Sequence, residues 1–180
     1  MRRLGVAISV VCFGIVGCQG GGVQAKTFYD QSATETGGRL DISSTDFKDG
    51  DPIPDKDAGD NGVPPDFSWS SAPGETNSFV VIVEDPDAPG DKPFVHWLVT
   101  AIPPTAKSLA SGGVLGKNSD GKNAYFGPKP PAGKPHHYHI EVFALDEALP
   151  QTPYDRDGLL KDISGHVIAK GELIGTYQTK

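Results

Sequence analysis

The sequence predicts an all-β-dominated domain, a sandwich of two antiparallel sheets with one helix near the C-terminus. Three observations carry this reading. Turn formers are dense, with 23 Gly and 16 Pro in 180 residues. Apolar residues fall in short runs between them, as in sandwiches and barrels. The clearest runs, Ser78–Glu84, His96–Ile102 and Tyr138–Leu145, are rich in β-branched and aromatic residues and bounded by Pro, Gly or Asp.

Phe79–Val83 and His96–Val99 are almost continuously apolar. A strand without alternation is covered on both faces, so these two are expected at the centre of the sheet. The segment from Leu159 to Tyr177 reads as the helix. Leu160, Ile163, Val167, Ile168 and Ile174 recur at roughly helical spacing behind Asp155 or Asp157 as a cap.

The N-terminus is set apart from the domain. Arg2 and Arg3 precede an apolar run from Leu4 to Val16. At 13 residues this run falls short of the about 20 needed to span a bilayer and has the length of a signal h-region. It ends in Ile15-Val16-Gly17-Cys18, which resembles a bacterial lipobox. Residues 1–17 are therefore expected to be a lipoprotein signal peptide, with Cys18 lipidated and residues 18–27 a flexible tether, Gly-rich at 20–22. The alternative is an ordinary signal with a chance cysteine. The domain proper is expected over 28–180, in a bacterial cell envelope and held to a membrane by the lipid.

Cleavage before Cys18 would leave 163 residues with no further cysteine, enough for one domain stabilised by its core without disulfides. It would also leave 14 Lys and Arg against 23 Asp and Glu, a net of −9. Such an acidic body without a basic cluster argues against a nucleic-acid partner.

Residues 41–66 hold eight aspartates. From Asp55 they faintly resemble a calcium loop, but its fifth, sixth and twelfth positions are Gly59, Asp60 and Asp66, which break the ligand pattern. A solvated acidic loop is the expectation. His137, His139 and Glu141 share one strand face and have the spacing of a surface metal site, yet nothing supplies a fourth ligand. A solvated face is expected there too, with no metal and no cofactor.

The chemistry concentrates in two stretches. Asp85-Pro-Asp87-Ala-Pro89 follows one central strand and precedes His96-Trp97 in the next, its prolines stiffening the loop that carries the carboxylates. Tyr125 to Pro135 forms a proline-rich wall feeding the strand at His136. Alternation sends His136 and Tyr138 to one face and His137, His139 and Glu141 to the other. If the strand ends adjoin, His96, His136, Tyr138, Asp85 and Asp87 meet at one rim. Histidines beside carboxylates favour their cationic form and donate to anions.

The order DPDAP (85–89), HW (96–97), GPKPPAGKPHHY (127–138) and FALD (143–146) resembles the phosphatidylethanolamine-binding protein family, in its bacterial Raf-kinase-inhibitor-like branch. Pro65–Trp69, Gly116-Lys117-Asn118 and the closing GHVIAKGELIGTY (165–177) extend the likeness over about residues 39–177. The resemblance implies a two-sheet β-sandwich with short peripheral helices and an anion-binding pocket at one end. It assigns that pocket to Asp85, Asp87, His96, Pro130, Pro131, His136 and Tyr138, with Phe126 and Gly127 at its edge. Val95 stands where a larger aromatic often closes the pocket, implying a wider mouth. No Gly-x-Arg follows the HW strand, so kinase regulation is not carried over.

The leading reading is a non-enzymatic module for a small anion or phospholipid head group, with or without a protein partner. An acid–base hydrolase using the Asp/His cluster is the alternative. A loop-mediated envelope inhibitor of a protease or kinase is a third.

Overall fold

The computed structural model describes residues 24–179. The signal segment and Cys18 lie outside these residues. Along the chain come α1 (Phe28–Gln31), β1 (Gly38–Arg39), β2 (Ile42–Ser44), β3 (Phe67–Trp69), β4 (Ser78–Asp85), β5 (Phe94–Ile102), β6 (Val114–Leu115), β7 (His136–Leu145), α2 (Arg156–Asp162) and β8 (Val167–Tyr177). The large sheet runs β1-β8-β7-β4-β5-β6, and β2 and β3 form a second, two-stranded sheet. All pairings are antiparallel except that of the two-residue β1, which lies parallel to β8. No helix among the described residues is long and apolar enough to cross a membrane.

Every residue of β4 is buried, because both faces of the sheet are covered. On one face Phe79, Val81, Val83, Trp97, Val99, Ile140 and Val142 pack under Phe67 and Trp69 of the small sheet and under Phe47 and Ile53 of the acidic loop. On the other, Val80, Ile82, Leu98, Phe143 and Leu145 pack under Phe28 of α1 and Leu159 and Ile163 of α2. The unbroken apolar runs are the sequence trace of this double burial.

The helix expected over 159–177 is corrected to seven residues followed by a strand. Asp155 caps α2 by accepting from the Gly158 amide at 2.8 Å. Helix α2 ends at Ile163, and a turn with Gly165 at φ 86° leads into β8. From Ala169 onward burial alternates with period two, placing Ala169, Gly171, Leu173 and Gly175 inward. The glycines mark close approach rather than helix: a Cβ at Gly171 would stand 2.1 Å from the Leu40 carbonyl oxygen, and one at Gly175 would meet Ile53 and Phe47. His166, expected on the helix, sits in the turn and pairs with Asp146 at 2.9 Å.

The acidic loop is only partly solvated. Asp57 is wholly buried and pairs with Lys56 at 2.9 Å, while Asp60 pairs with Lys129 at 2.7 Å. Burial raises the Asp57 pKa, against the pull of Lys56. No metal-ligating cluster forms in this loop among the described residues.

The last residues of the expected tether are docked. Thr27 caps α1 in a reciprocal box with Asp30. Phe28 inserts completely beneath it, its ring edge-on to Phe143 at 5.2 Å and under the Arg156 guanidinium at 5.6 Å. Its amide donates to the buried Glu84 carboxylate, which Arg156 Nε also reaches at 2.8 Å. Replacing a buried Phe by Ala typically costs about 3–5 kcal/mol. Phe28→Ala is therefore expected to lower the urea-unfolding free energy by about that much at unchanged m-value. A loss below about 1 kcal/mol would show α1 to be undocked in solution.

Candidate functional site

The C-terminal end of β4, the start of β5 and the start of β7 come together because β4 is hydrogen-bonded to both neighbours. Asp85 is the last residue of β4. Its Oδ1 accepts the amides of Asp87 (2.8 Å) and Ala88 (3.1 Å), folding the proline-stiffened loop back on itself. Its Oδ2 accepts from His136 Nδ1 at 2.7 Å. A carboxylate that fixes Nδ1–H leaves Nε2 as the working nitrogen of His136.

His96 reaches the same place through a β-bulge. Val83 pairs with Trp97 and Glu84 with Val95, so His96 is an extra residue opposite no partner. Strict alternation would place His96 on the Leu98 face. The bulge instead turns it to the face of Trp97 and Tyr138, its ring 5.1 Å from that of Tyr138. His96 Nδ1 lies 2.7 Å from the Phe126 carbonyl oxygen, which only accepts, so the proton sits on Nδ1. The Phe126 amide in turn donates to the His96 carbonyl at 2.9 Å, clamping the loop to the strand. Burial holds the His96 pKa below the ordinary histidine value, against the opposing pull of the Phe126 carbonyl and the Asp85 and Asp120 charges. His96 is thus neutral at pH 7, not the cationic donor expected, and its Nε2 is an acceptor.

These side chains line a cavity of about 150 Å³. Asp85, His96, His136 and Tyr138 supply polar atoms, Lys129 joins the lining with its ammonium paired to Asp60, and Phe94, Phe126, Pro130, Pro131, Ala88 and Pro89 form the apolar walls. The Tyr138 hydroxyl is buried without a hydrogen-bond partner among the described residues. Burial, then the Asp85 and Asp87 charges, push its pKa well above the usual phenol value, so it is a fixed donor at neutral pH. A roomier hollow of about 590 Å³ lies between the α1–β1 connection and α2, lined by residues such as Glu35, Lys161 and Ser164. It gathers no buried ionisable group, so volume alone does not make it the site.

Of the residues expected at this rim, two stand outside the lining. Asp87 turns away, accepting the His137 amide at 2.8 Å and its Nδ1 at 2.6 Å. These bonds hold the Asp87 pKa below the usual carboxylate value against the opposing effect of burial. Gly127 packs against the 57–59 turn, where a Cβ would stand 2.7 Å from the Asp57 and Gly59 carbonyl oxygens. Val95 faces the α2 side of the sheet, and Phe94 stands at the mouth with its ring 4.8 Å from His96. The wider mouth expected from Val95 is therefore not what the geometry gives. Phe94, Ala88, Pro89 and Lys129 were missed. The signal for Phe94 lay in strand alternation, which sets it on the face of His96 two residues on.

Both ends of the described chain reach this rim. Gln24 Nε2 donates to Asp87 Oδ1 at 2.8 Å, and Thr179 Oγ1 donates to the Pro130 carbonyl at 2.6 Å.

Comparison with known proteins agrees with this fold. A phosphatidylethanolamine-binding protein family model matches residues 43–178. A UPF0098 protein of Chlamydia muridarum is 37% identical over 149 residues, 77% of this chain and 99% of its own length. One from Mycobacterium tuberculosis is 39% identical over 153 residues, 81% of this chain and 73% of its own. The crystal structure of a phosphatidylethanolamine-binding protein homologue from Chlamydia trachomatis superposes with a TM-score of 0.72 at 36% identity, covering 79% of this chain and 99% of its own. E. coli YbcL, described as a member of the mammalian PEBP family, gives 0.70 at 29% identity with the same coverage. The chain belongs to the phosphatidylethanolamine-binding protein family.

Proposed function

We propose that this protein is a non-enzymatic binding module for the phosphate- or carboxylate-bearing head group of a small molecule or lipid, held in the Asp85–His136–Tyr138 cavity. The observation that carries the reading is the Tyr138 hydroxyl. A buried donor without a partner costs about 1–3 kcal/mol, and a ligand oxygen in the cavity would satisfy it. The volume of about 150 Å³ lies below the about 300–1,000 Å³ of sites that enclose drug-sized molecules. Only a head-group-sized moiety fits, with the remainder of its molecule outside.

Asp85 and His136 also form the minimal pair for general-base catalysis, the basis of the hydrolase reading. The lining offers no Ser, Thr or Cys side chain as a nucleophile, which favours binding. The anchored location is part of the proposal: acylation of Cys18 would keep the domain at a membrane surface.

Tyr138→Phe separates ligand binding from folding. Losing one hydrogen bond to a charged group costs about 1.5–3 kcal/mol, so phosphoethanolamine affinity should fall about tenfold or more by calorimetry. Thermal stability should hold or rise, because an unpaired buried hydroxyl is removed. Unchanged affinity would move the ligand elsewhere.

An anion beside His96 favours its cationic form, raising its pKa in the complex above the depressed value of the free protein. Affinity should therefore rise as pH falls below the complex's His96 pKa and level off below that of the free protein. Titrations in buffers of different ionisation enthalpy should show proton uptake on binding in the pH range between those two pKa values. His96→Gln should flatten that dependence; a dependence left intact would exclude His96 as its source. For the anchor, Cys18→Ser in the full chain should shift the protein from the membrane to the soluble fraction, and continued sedimentation with membranes would refute acylation at that residue.

A further inference from the structure

On the face of the sheet opposite Tyr138, Glu141 of β7 stands directly across from Glu172 of β8. Like charges in directly opposed positions destabilise a strand pair. His139, two residues before Glu141 on the same face, donates from Nδ1 to Glu172 Oε1 at 2.7 Å. This face, expected to be solvated, is instead covered by α1, and Glu141 is wholly buried. His137 does not join the group, because Asp87 holds its ring at the strand end. Glu172, which lies 31 positions along the chain from Glu141, takes its place.

The nearby cations are committed elsewhere. Arg156 pairs with Glu84 at 2.8 Å. Lys170 Nζ donates to the carbonyls of Tyr29 (2.6 Å) and Ser32 (2.7 Å) and sits 3.9 Å from the Tyr29 ring centroid. The Tyr29 amide donates to Glu141 Oε2 at 2.8 Å. Glu141 Oε1, at zero exposure, has no hydrogen-bond partner among the described residues. The Thr27 hydroxyl lies close enough to favour the ionised carboxylate but does not meet Oε1 in hydrogen-bond geometry. One ligand atom from each of His139, Glu141 and Glu172 falls within 4.8 Å of the others.

We propose that His139, Glu141 and Glu172 form a binding site for a zinc-class divalent cation, with Glu141 Oε1 as its buried anchor. One imidazole nitrogen and two carboxylate oxygens make the three-ligand set that zinc accepts at about 2.0–2.2 Å, with water in the fourth position. The set is too small and too nitrogenous for calcium, which takes about six to eight oxygens. Tetrahedral bonds of that length put donor atoms about 3.3 Å apart, within reach of small side-chain rotations from separations that do not exceed 4.8 Å. The movement falls to His139 and Glu172, which are partly exposed (side chains 14% and 25%). Glu141 is held by the Tyr29 amide, an outer contact of the sort that orients metal ligands. The ion replaces the proton between His139 and Glu172 and offsets the opposed carboxylates.

Chelator-stripped full chain dialysed against zinc sulfate should retain one zinc per molecule. Cobalt(II) in its place should give a visible absorption band of low-symmetry four-coordination. His139→Ala and Glu141→Gln should each weaken zinc binding at least tenfold, whereas His166→Ala, which removes an exposed histidine–carboxylate pair, should not. Should Glu141→Gln fail to fold, Glu172→Gln reads the same ligand from the exposed side. Absence of retained zinc would overturn the site. Undiminished affinity in His139→Ala and Glu172→Gln would do the same, as would a loss produced by His136→Ala.

Discussion

The architecture depends on one constraint: the central strands β4 and β5 are apolar on both faces, so both faces must be covered. Neither helix is long enough to do this alone. The coverage is therefore assembled from small pieces, α1 and α2 on one side and β2, β3 and the acidic loop on the other. With both broad surfaces used, the ends of the strands are where polar side chains can converge on a cavity. There Asp85 uses both carboxylate oxygens, one to fold its own loop and the other to orient His136.

The same constraint explains why the sheet carries buried carboxylates. Glu84 and Glu141 lie under α1 and accept the first two amides of that helix, Phe28 and Tyr29. A four-residue helix has nearly all its amides unsatisfied by its own carbonyls, and the sheet supplies acceptors for two of them. Burial raises the pKa of both Glu84 and Glu141, but only Glu84 has a bonded guanidinium to oppose the shift. The two acids therefore differ in kind: one is a paired anion, the other a group whose charge depends on what stands beside it.

Much of this was legible in the residues. The β4, β5 and β7 strands were found within two residues at each end because their composition and boundaries agree, and the family follows from the spaced order of DPDAP, HW and GPKPPAGKPHHY. The meeting of His96, His136, Tyr138 and Asp85 was expected on the condition that the strand ends adjoin, and β4 meets that condition by pairing with both β5 and β7. What failed did so for identifiable reasons. The 159–177 segment mixes a helical start with a strand whose inward positions are glycines, so its alternation carries no hydrophobic signal. The resemblance alone put Val95 at the mouth, whereas the strand carries Val95 to the α2 face and sets Phe94 beside His96. Asp87 was assigned by proximity in sequence to Asp85, but the turn that Asp85 caps rotates it toward His137. The partnership of Glu141 with Glu172 is set by a strand register that nothing local encodes.

Gln24 and Thr179 both fasten to the cavity rim, so the chain enters and leaves the domain at the pole that holds the pocket. A tag fused directly to Gln24 or Thr179 would crowd that mouth, and binding assays on such fusions would report the tag as much as the protein. The opposite pole is free. The exposed turn around Gly74 lies at the other end of β4, about 25 Å away at about 3.3 Å per residue. Joining Thr179 to Gln24 and opening the chain there gives a circular permutant whose new termini point away from the pocket, the arrangement suited to immobilising this domain on a surface.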